Sequence, residues 1–220
     1  DIPASMVIPD VPYNECFQNW EGALNYAVDI NQISTAEYWH LKDTQPSFIV
    51  KEGLGSLVAT LNNNFPIVQN TNVHEIDYSG TGVKVVTSKG TITARGCICT
   101  VSIGVLKSEK IKFFPTLSSN VQKALDGIQM GLLIKIPLLF DGSRLGFTEN
   151  SFLQYDIEPE DIGSGCYFLA WPTGHDYVVG FIGGRFAWDL SKQSEDKIVE
   201  YALSKLASLH GSNIRKHFLK

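Results

Sequence analysis

The sequence predicts an α+β fold, in which a mixed β-sheet with flanking helices is joined by a smaller β-meander. Apolar residues recur at helical spacing near both ends of the chain. Residues 73–94, in contrast, alternate between polar and apolar side chains, as half-buried strands do. A nearly continuous apolar run from Leu132 to Phe140 predicts a further, buried strand.

Composition places the chain among globular proteins. Its 220 residues are enough for one large domain or two small ones. Hydrophobic residues make up 44% and charged residues 19%, unlike the composition of a disordered chain. The net charge of −5 argues against nucleic acid as a partner, and no apolar run has the roughly 20 residues of a membrane span.

The N-terminal region is predicted to be helical after a proline-rich lead-in. The first fifteen residues contain three prolines and are expected to be extended. Apolar residues then recur at helical spacing from Phe17 to Val28. A second short helix is predicted from Ser34, a suitable N-cap residue, to about Leu41.

A meander is predicted for the middle of the chain, after a short helix that includes Leu57 and Leu61. Its first two strands begin near Val73 and Val83, and a third strand follows a tight turn at Lys89-Gly90. The next apolar run, Cys97–Val101, predicts a buried strand, with Cys97 and Cys99 as buried, reduced thiols on one face. The four cysteines match neither a disulfide framework nor a metal-ligand set.

The last third predicts helices around two paired strands. Ser118 or Ser119 caps one helix, and a second, amphipathic helix runs from Ser194 to Gly211. Between them, the segments 166–171 and 177–182 are separated by a Pro-Thr-Gly turn. These two segments therefore predict a hairpin.

Lys135 is the candidate that physical chemistry alone singles out. It is the single charged residue in the run from Leu132 to Phe140. A buried lysine costs several kcal/mol unless it is paired or neutral, and desolvated lysines serve catalysis for that reason. The alternative is an edge-strand lysine whose stem lies on apolar surface while its ammonium reaches water.

Other familiar catalytic motifs are absent from the sequence. Gly53 and Gly55 are followed by Val58 where a dinucleotide fingerprint requires glycine. The five histidines have no metal-ligand spacing, and no nucleophile-elbow motif occurs.

Residues 50–140 resemble the flavin-containing amine oxidases, a family that includes polyamine oxidases, monoamine oxidases and flavin-dependent histone demethylases. The matching segments, in order, are KEGLGSLVATL, NTNVHEIDYSGTGVKVVTSKG, CICTVSIGVLK and IKFFPTLSSNVQKALDGIQMGLLIKIPLLF. The combination TVxxGVLK, IxFxPxL and GxxxKxxLxF is specific. Ser102 stands where the family usually has proline, and the later hairpin and helix match more loosely.

The resemblance implies roles for four residues around a flavin. In the family, the lysine at the position of Lys135 lies beside the isoalloxazine ring and holds a water near flavin N5. Val73 resembles a valine whose backbone meets the adenine end of FAD. Thr100 and Val101 would pass close to the same cofactor.

The resemblance also implies residues of a substrate cavity. Leu133, two residues before Lys135 on the same strand, would point to the same side and line that cavity. Phe168 and Trp171 are candidates for its apolar wall, although core packing explains both residues at least as well. No metal is implied.

A domain organisation follows from the same resemblance. Residues 1–46 would form a helical part of the substrate domain, residues 47–106 a flavin-domain segment with the meander, and residues 107–220 the sheet-and-helix part. The family's glycine fingerprint and its C-terminal flavin-covering motif are missing. We therefore expect the chain to be the middle portion of a longer oxidase and to be inactive on its own. We also expect it to expose an apolar face that favours self-association.

The implied reaction is the oxidation of an amine to an imine by FAD, with dioxygen as acceptor and hydrogen peroxide as product. Two alternatives stay open: another FAD oxidoreductase of the superfamily, of the desaturase or protoporphyrinogen-oxidase type, and a non-catalytic partner-binding fragment. The expected partners are a small-molecule amine and the rest of the flavin domain. The lack of an Asn-x-Ser/Thr sequon weakly favours an intracellular location.

Overall fold

A computed structural model describes residues 1–42 and 44–220, which divide into two units. Unit 1 combines residues 1–57 with residues 131–220, and unit 2 comprises residues 58–130. Each unit contains a four-stranded sheet, and helices precede and follow its strands in the sequence. The predicted α+β class is confirmed.

The helices and strands have the following bounds. The strands are β1 (Val73–Asp77), β2 (Val83–Thr87), β3 (Gly90–Ala94), β4 (Lys112–Phe114), β5 (Leu133–Leu139), β6 (Ser151–Leu153), β7 (Tyr167–Ala170) and β8 (Tyr177–Gly183). The helices are α1 (Asn14–Gln18), α2 (Thr35–His40), α3 (Leu54–Leu61), α4 (Ile103–Lys107), α5 (Ser119–Gly127), α6 (Gly184–Leu190) and α7 (Glu195–His210), with a π-helix at Asn19–Tyr26.

The sheet of unit 1 has the strand order β5-β8-β7-β6, and all three pairings are antiparallel. The expectation of a mixed sheet here is therefore wrong. The reason is connectivity: β7 and β8 form the predicted hairpin, and β5 and β6 join them as antiparallel neighbours on either side. β5 is thus an edge strand.

One face of this sheet carries the main core of unit 1. Side chains of β5 alternate, so that Ile136 and Leu138 point into this core whereas Lys135 and Pro137 are exposed. Helix α7 covers the core face with Ala202 and Leu206, both fully buried. We call this the core face, and the opposite one the Lys135 face.

The N-terminal helical region differs from a regular α-helix. The spacing from Phe17 to Val28 predicts one helix, but α1 passes directly into the π-helix, which ends at Ala27 in a left-handed conformation (φ 57°). The second predicted helix is confirmed as α2, because the Ser34 hydroxyl accepts a hydrogen bond from the Glu37 amide at 3.0 Å.

The sheet of unit 2 contains the predicted meander. β1, β2 and β3 are antiparallel neighbours, and β4 joins β1 in parallel, which makes this sheet the mixed one. Two short helices follow local signals: the Ser102 hydroxyl caps α4, and the Ser118 hydroxyl caps α5.

The prediction for Cys97–Val101 is wrong. The segment is irregular and exposed, and Cys97 and Cys99 are exposed free thiols. A strand needs a neighbour that pairs with its backbone. Among the described residues, none pairs with this segment, so its apolar composition alone does not make it a strand.

The boundaries of the two units differ from those of the domains expected from the sequence. Residues 107–130 belong to unit 2 with the meander, because β4 pairs with β1. Within the described ranges, no helix has both the length and the apolar character needed to cross a bilayer, and no group of three or more acidic, cysteine or histidine side chains is arranged to bind a metal.

Candidate functional site

Lys135 lies on the edge strand of the unit 1 sheet, with its side chain exposed. Its backbone pairs with Phe181 of β8, and its Nζ atom lies 5.7 Å from the centroid of the Phe181 ring. This geometry is the edge-strand arrangement, not that of a buried lysine. The ammonium therefore lies in contact with water.

The position of Lys135 follows from the local sequence. Pro137, two residues later, has no N–H to donate to a sheet, and proline is tolerated on edge strands for that reason. Burial of Ile136 and Leu138 fixes the phase of the strand, because a shift by one residue would bury the lysine.

Four aromatic side chains form a series of ring contacts that begins next to Lys135, on the Lys135 face of the sheet. The Phe181 ring lies 6.4 Å from Phe152, which lies 5.8 Å from Trp20, and Trp20 lies 5.2 Å from Tyr167, all between centroids. Tyr167 is paired with Phe181 in the sheet and so shares its face. We call Phe181, Phe152, Trp20 and Tyr167 the aromatic row.

The π-helix that carries Trp20 is fixed against the sheet at two points. Asn19 is buried and accepts a hydrogen bond from the Gly163 amide at 2.9 Å, while its side-chain amide donates to the Gly165 carbonyl at 3.4 Å. Gly183, at the end of β8, lies against the Ala23 carbonyl, and a Cβ atom at position 183 would overlap that oxygen. These contacts set the position of Trp20 over the sheet.

The three residues expected to line a substrate cavity lie in different surroundings. Leu133 is half-buried and lies on the Lys135 face, as its spacing predicts. Phe168 and Trp171 are fully buried in the core of unit 1. The Trp171 indole donates to the Arg144 carbonyl at 3.2 Å. The structure thus gives Phe168 and Trp171 the core-packing role, which the sequence left open.

The residues expected near the adenine end of FAD all lie in unit 2. Val73 is half-buried at the start of β1, where it pairs with Thr87 on β2. The parallel strand β4 begins its pairing only at Glu75, so it does not cover Val73. Thr100 and Val101 are exposed at the end of the irregular segment before α4.

A second cluster of titratable groups lies between Tyr155 and helix α7. Lys205 Nζ pairs with Asp161 at 3.1 Å and lies 5.5 and 5.6 Å from the ring centroids of Tyr155 and Tyr201. Burial raises the pKa of Tyr201 to about 12 and also raises the pKa of the Cys166 thiol. Cys166 is therefore protonated, so this cluster provides packing and no nucleophile.

Comparison with known proteins identifies the family. Residues 9–219 match the family model described as flavin containing amine oxidoreductase. The chain belongs to this family. The membership agrees with the resemblance that the lysine-strand motif indicates, and it makes FAD the cofactor that the family implies.

Two plant relatives show how much of a family member the chain represents. Lysine-specific histone demethylase 1 homolog 2 of Arabidopsis thaliana is 28% identical over 183 residues, which cover 80% of this chain and 24% of the relative. Polyamine oxidase 4 of Oryza sativa subsp. japonica is 32% identical over 196 residues, which cover 84% of this chain and 38% of the relative. The chain thus spans well under half the length of either relative.

Solved structures agree on the fold of this family member. Putrescine oxidase, in a structure titled wild type bound to putrescine, matches with a TM-score of 0.57 and 16% identity. The match covers 76% of this chain and 37% of that one. At this identity the likeness is evidence for the fold alone.

The residues present fit part of the surroundings of a flavin. Lys135 presents a charged ammonium next to aromatic rings, an arrangement suited to a planar, partly anionic group. In the described part of unit 2, the backbone groups of residues 97–101 form no hydrogen bonds and are able to pair with a polar ligand.

The aromatic row is the feature that sequence reasoning missed. The sequence places Trp20 in the helical region from Phe17 to Val28 and Phe181 in the strand segment 177–182, but no local pattern links the two residues, and β6, which carries Phe152, is not predicted. The alternation of Tyr167, Leu169 and Phe181 along two paired strands was the available signal for a shared face.

Proposed function

We propose that the protein carrying this chain oxidises an amine to the corresponding imine, using FAD as cofactor and dioxygen as the final acceptor. One carbon–hydrogen bond next to nitrogen and one nitrogen–hydrogen bond are lost, and dioxygen takes up two electrons and two protons to become hydrogen peroxide. Family membership supports amine oxidation in general, and the charged Lys135 beside aromatic rings is the observation in this chain that carries the proposal.

FAD, when bound, supplies the two-electron oxidation and its own reoxidation by dioxygen. Lys135 would provide a fixed positive charge on the sheet face that meets the substrate. A nearby ammonium disfavours protonation of a second amine, so it would keep the substrate amine neutral, with its lone pair free. Lys135 would also donate a hydrogen bond to a water held at the reacting centre.

The cofactor contacts belong to the same proposal. Val73, Thr100 and Val101 would meet the adenine end of FAD through backbone groups, and Leu133 would line the substrate side of the Lys135 strand. The exposure of Thr100 and Val101, and the uncovered edge of β1 at Val73, are consistent with these contacts.

Replacement of Lys135 by methionine in the full-length protein tests the proposal. Methionine keeps the length and apolar stem of the side chain, so β5 should still form. We expect flavin content and melting temperature close to those of the wild type, and a loss of about a hundredfold in the rate of flavin reduction or reoxidation, measured by stopped-flow absorbance.

Lys192→Met is the matched control, because Lys192 is also exposed in unit 1 and its ammonium pairs with Asp189 on the surface. It should keep wild-type rates. Wild-type rates in both half-reactions of Lys135→Met would contradict the proposed role of Lys135. A purified protein whose flavin is not reduced by any amine, but is reduced by a substrate with a C–C bond to desaturate, would contradict amine oxidation.

A further inference from the structure

A pocket separate from the Lys135 face lies in the N-terminal part of unit 1. Its volume is about 330 Å³, and the residues that line it all come from residues 4–39, whereas the first strand begins only at Val73. Trp20 contacts the sheet, but its neighbours Phe17 and Glu21 line this pocket. The pocket therefore shares no residue with the aromatic row or with β5. We call it the N-terminal pocket.

The lining of the N-terminal pocket is mostly apolar and aromatic. The buried side chains of Ile30 and Ile33 belong to it, together with aliphatic residues of the lead-in. The rings of Phe17, Tyr38 and Trp39 are all exposed, and Trp39 reaches 84% exposure. A concave apolar site of this size, with exposed aromatic side chains around it, is typical of a ligand pocket.

Backbone hydrogen bonds hold the walls of the pocket together. The Ala4 amide donates to the Ile33 carbonyl at 2.9 Å. The Thr35 amide donates to the Ile2 carbonyl at 3.3 Å, and the Thr35 hydroxyl donates to the Asp1 carboxylate at 3.2 Å. These contacts join the lead-in to the start of α2. The pocket is thus formed before a ligand arrives, so binding costs little conformational entropy.

Glu21 supplies the polar group of the pocket. Among the described residues, it is the one acidic or basic side chain in the lining. It is half-buried, and the Tyr38 hydroxyl donates to its Oε2 atom at 3.5 Å. Lys42 lines a neighbouring groove, but neither it nor another lysine or arginine of the described chain forms an ion pair with Glu21. A carboxylate beside exposed rings favours a cationic ligand, because both attract positive charge.

We propose that the N-terminal pocket binds a small organic cation with an apolar body, whose quaternary ammonium lies between the Glu21 carboxylate and the rings of Tyr38 and Trp39. A primary ammonium has three N–H donors that need acceptors, and the mostly apolar lining disfavours it. A quaternary ammonium has no such donors and is the group that aromatic rings recognise well. It also has no lone pair on nitrogen, so it is not a substrate for amine oxidation, and the inference does not depend on the proposed function.

Benzyltrimethylammonium is a suitable probe, because it combines a quaternary nitrogen with one apolar ring. Titration calorimetry on the full-length protein should give a Kd of about 1 mM or tighter. Glu21→Gln keeps the shape of the side chain and should weaken binding about tenfold, and Trp39→Ala should weaken it about fivefold. Both variants change side chains that are not part of the core, so their melting temperatures should stay close to that of the wild type.

Glu37→Gln is the matched control, since Glu37 is an exposed carboxylate on α2 that lies outside the lining. It should leave the Kd unchanged, and so should Lys135→Met, which alters a different surface. A wild-type Kd weaker than about 10 mM, or an unchanged Kd in Glu21→Gln, would overturn the inference. A Kd that changes in Lys135→Met but not in Glu21→Gln would also overturn it, by placing the cation on the Lys135 face. Amine oxidation stands or falls separately, on reduction of the flavin by an amine.

Discussion

The two sheets of this chain differ in how much of their surface the chain itself covers. In unit 1, the core face of β5–β8 is closed by α6 and α7, and it contains fully buried side chains such as Leu138, Phe168 and Leu206. In unit 2, just three residues are buried: Ile76, Thr87 and Leu125. Every residue of β3 is exposed.

The difference shows that strand formation and core formation have separate requirements. The meander forms because each of its strands finds a neighbour a few residues away, through tight turns. A core needs a second layer, and unit 2 contains little that covers its sheet. Large apolar residues such as Phe65, Ile67 and Ile98 are therefore exposed, at 67%, 64% and 90%.

The largest effect expected from this comparison is a difference in stability between two substitutions that shorten a side chain to alanine. Leu206→Ala removes a fully buried side chain from the unit 1 core and should lower the free energy of unfolding of that unit by about 4 kcal/mol. Ile98→Ala removes an exposed side chain and should change stability by less than about 0.5 kcal/mol. Hydrogen exchange resolved by peptide measures the two units separately.

A large effect of Ile98→Ala would break the comparison. It would mean that the surface of unit 2 is covered in solution, by another part of the full-length protein or by a second copy. Sedimentation at several concentrations distinguishes these two cases, since only the second depends on concentration.

A smaller effect is expected where the π-helix meets the sheet. Gly183→Ala places a Cβ atom onto the Ala23 carbonyl, and backbone atoms on both sides leave little room to adjust. We expect a loss of about 3 kcal/mol in unit 1, measured by thermal unfolding.

The same substitution at Gly55 is the control for Gly183→Ala. Gly55 lies inside α3 with no atom near the position of a new Cβ, so alanine there should stabilise by up to about 1 kcal/mol. Equal effects of the two substitutions would show that the contact with Ala23 does not limit the approach of the π-helix.

The smallest effect concerns an exposed ion pair that ties α7 to the segment after it. Arg215 donates two hydrogen bonds to Glu200, at 2.8 and 2.6 Å, and lowers the pKa of Glu200 below 4.5. A lowered folded-state pKa stabilises the protein above pH 4.5, and the contribution is lost as pH falls through the lowered value. Glu200→Gln should cost about 0.5 kcal/mol at pH 7.

Stability measured between pH 7 and pH 3 checks this prediction. The difference between the wild type and Glu200→Gln should shrink towards zero at the acidic end, and it should also be absent in an Arg215→Gln background. A difference that persists at pH 3 would show that the pair acts through packing, not charge.

Local signals were sufficient for much of the fold. Ser34, Ser118 and the turn at Pro172–Gly174 mark their helices and hairpin through interactions within a few residues. The Cys97–Val101 segment failed as a strand because composition cannot supply a pairing partner.

The candidate site was less predictable, for a physical reason. Lys135 stood out because a charge in an apolar run is costly unless the strand lies at an edge, and the structure shows that edge. The aromatic row joins Trp20, Phe152 and Phe181 across more than 150 residues of sequence. Its existence depends on strand register and on the position of the π-helix, which no local pattern encodes.

The cluster around Lys205, between Tyr155 and α7, allows the packing of unit 1 to be followed by chemical labelling. An amine that is paired with Asp161 and lies between the rings of Tyr155 and Tyr201 reacts slowly with acylating reagents until its surroundings open. Surface lysines such as Lys192 and Lys197 lack that protection by rings. The ratio of labelling at Lys205 to labelling at these two lysines therefore reports, in a mass spectrum, the fraction of molecules in which α7 is seated on its sheet.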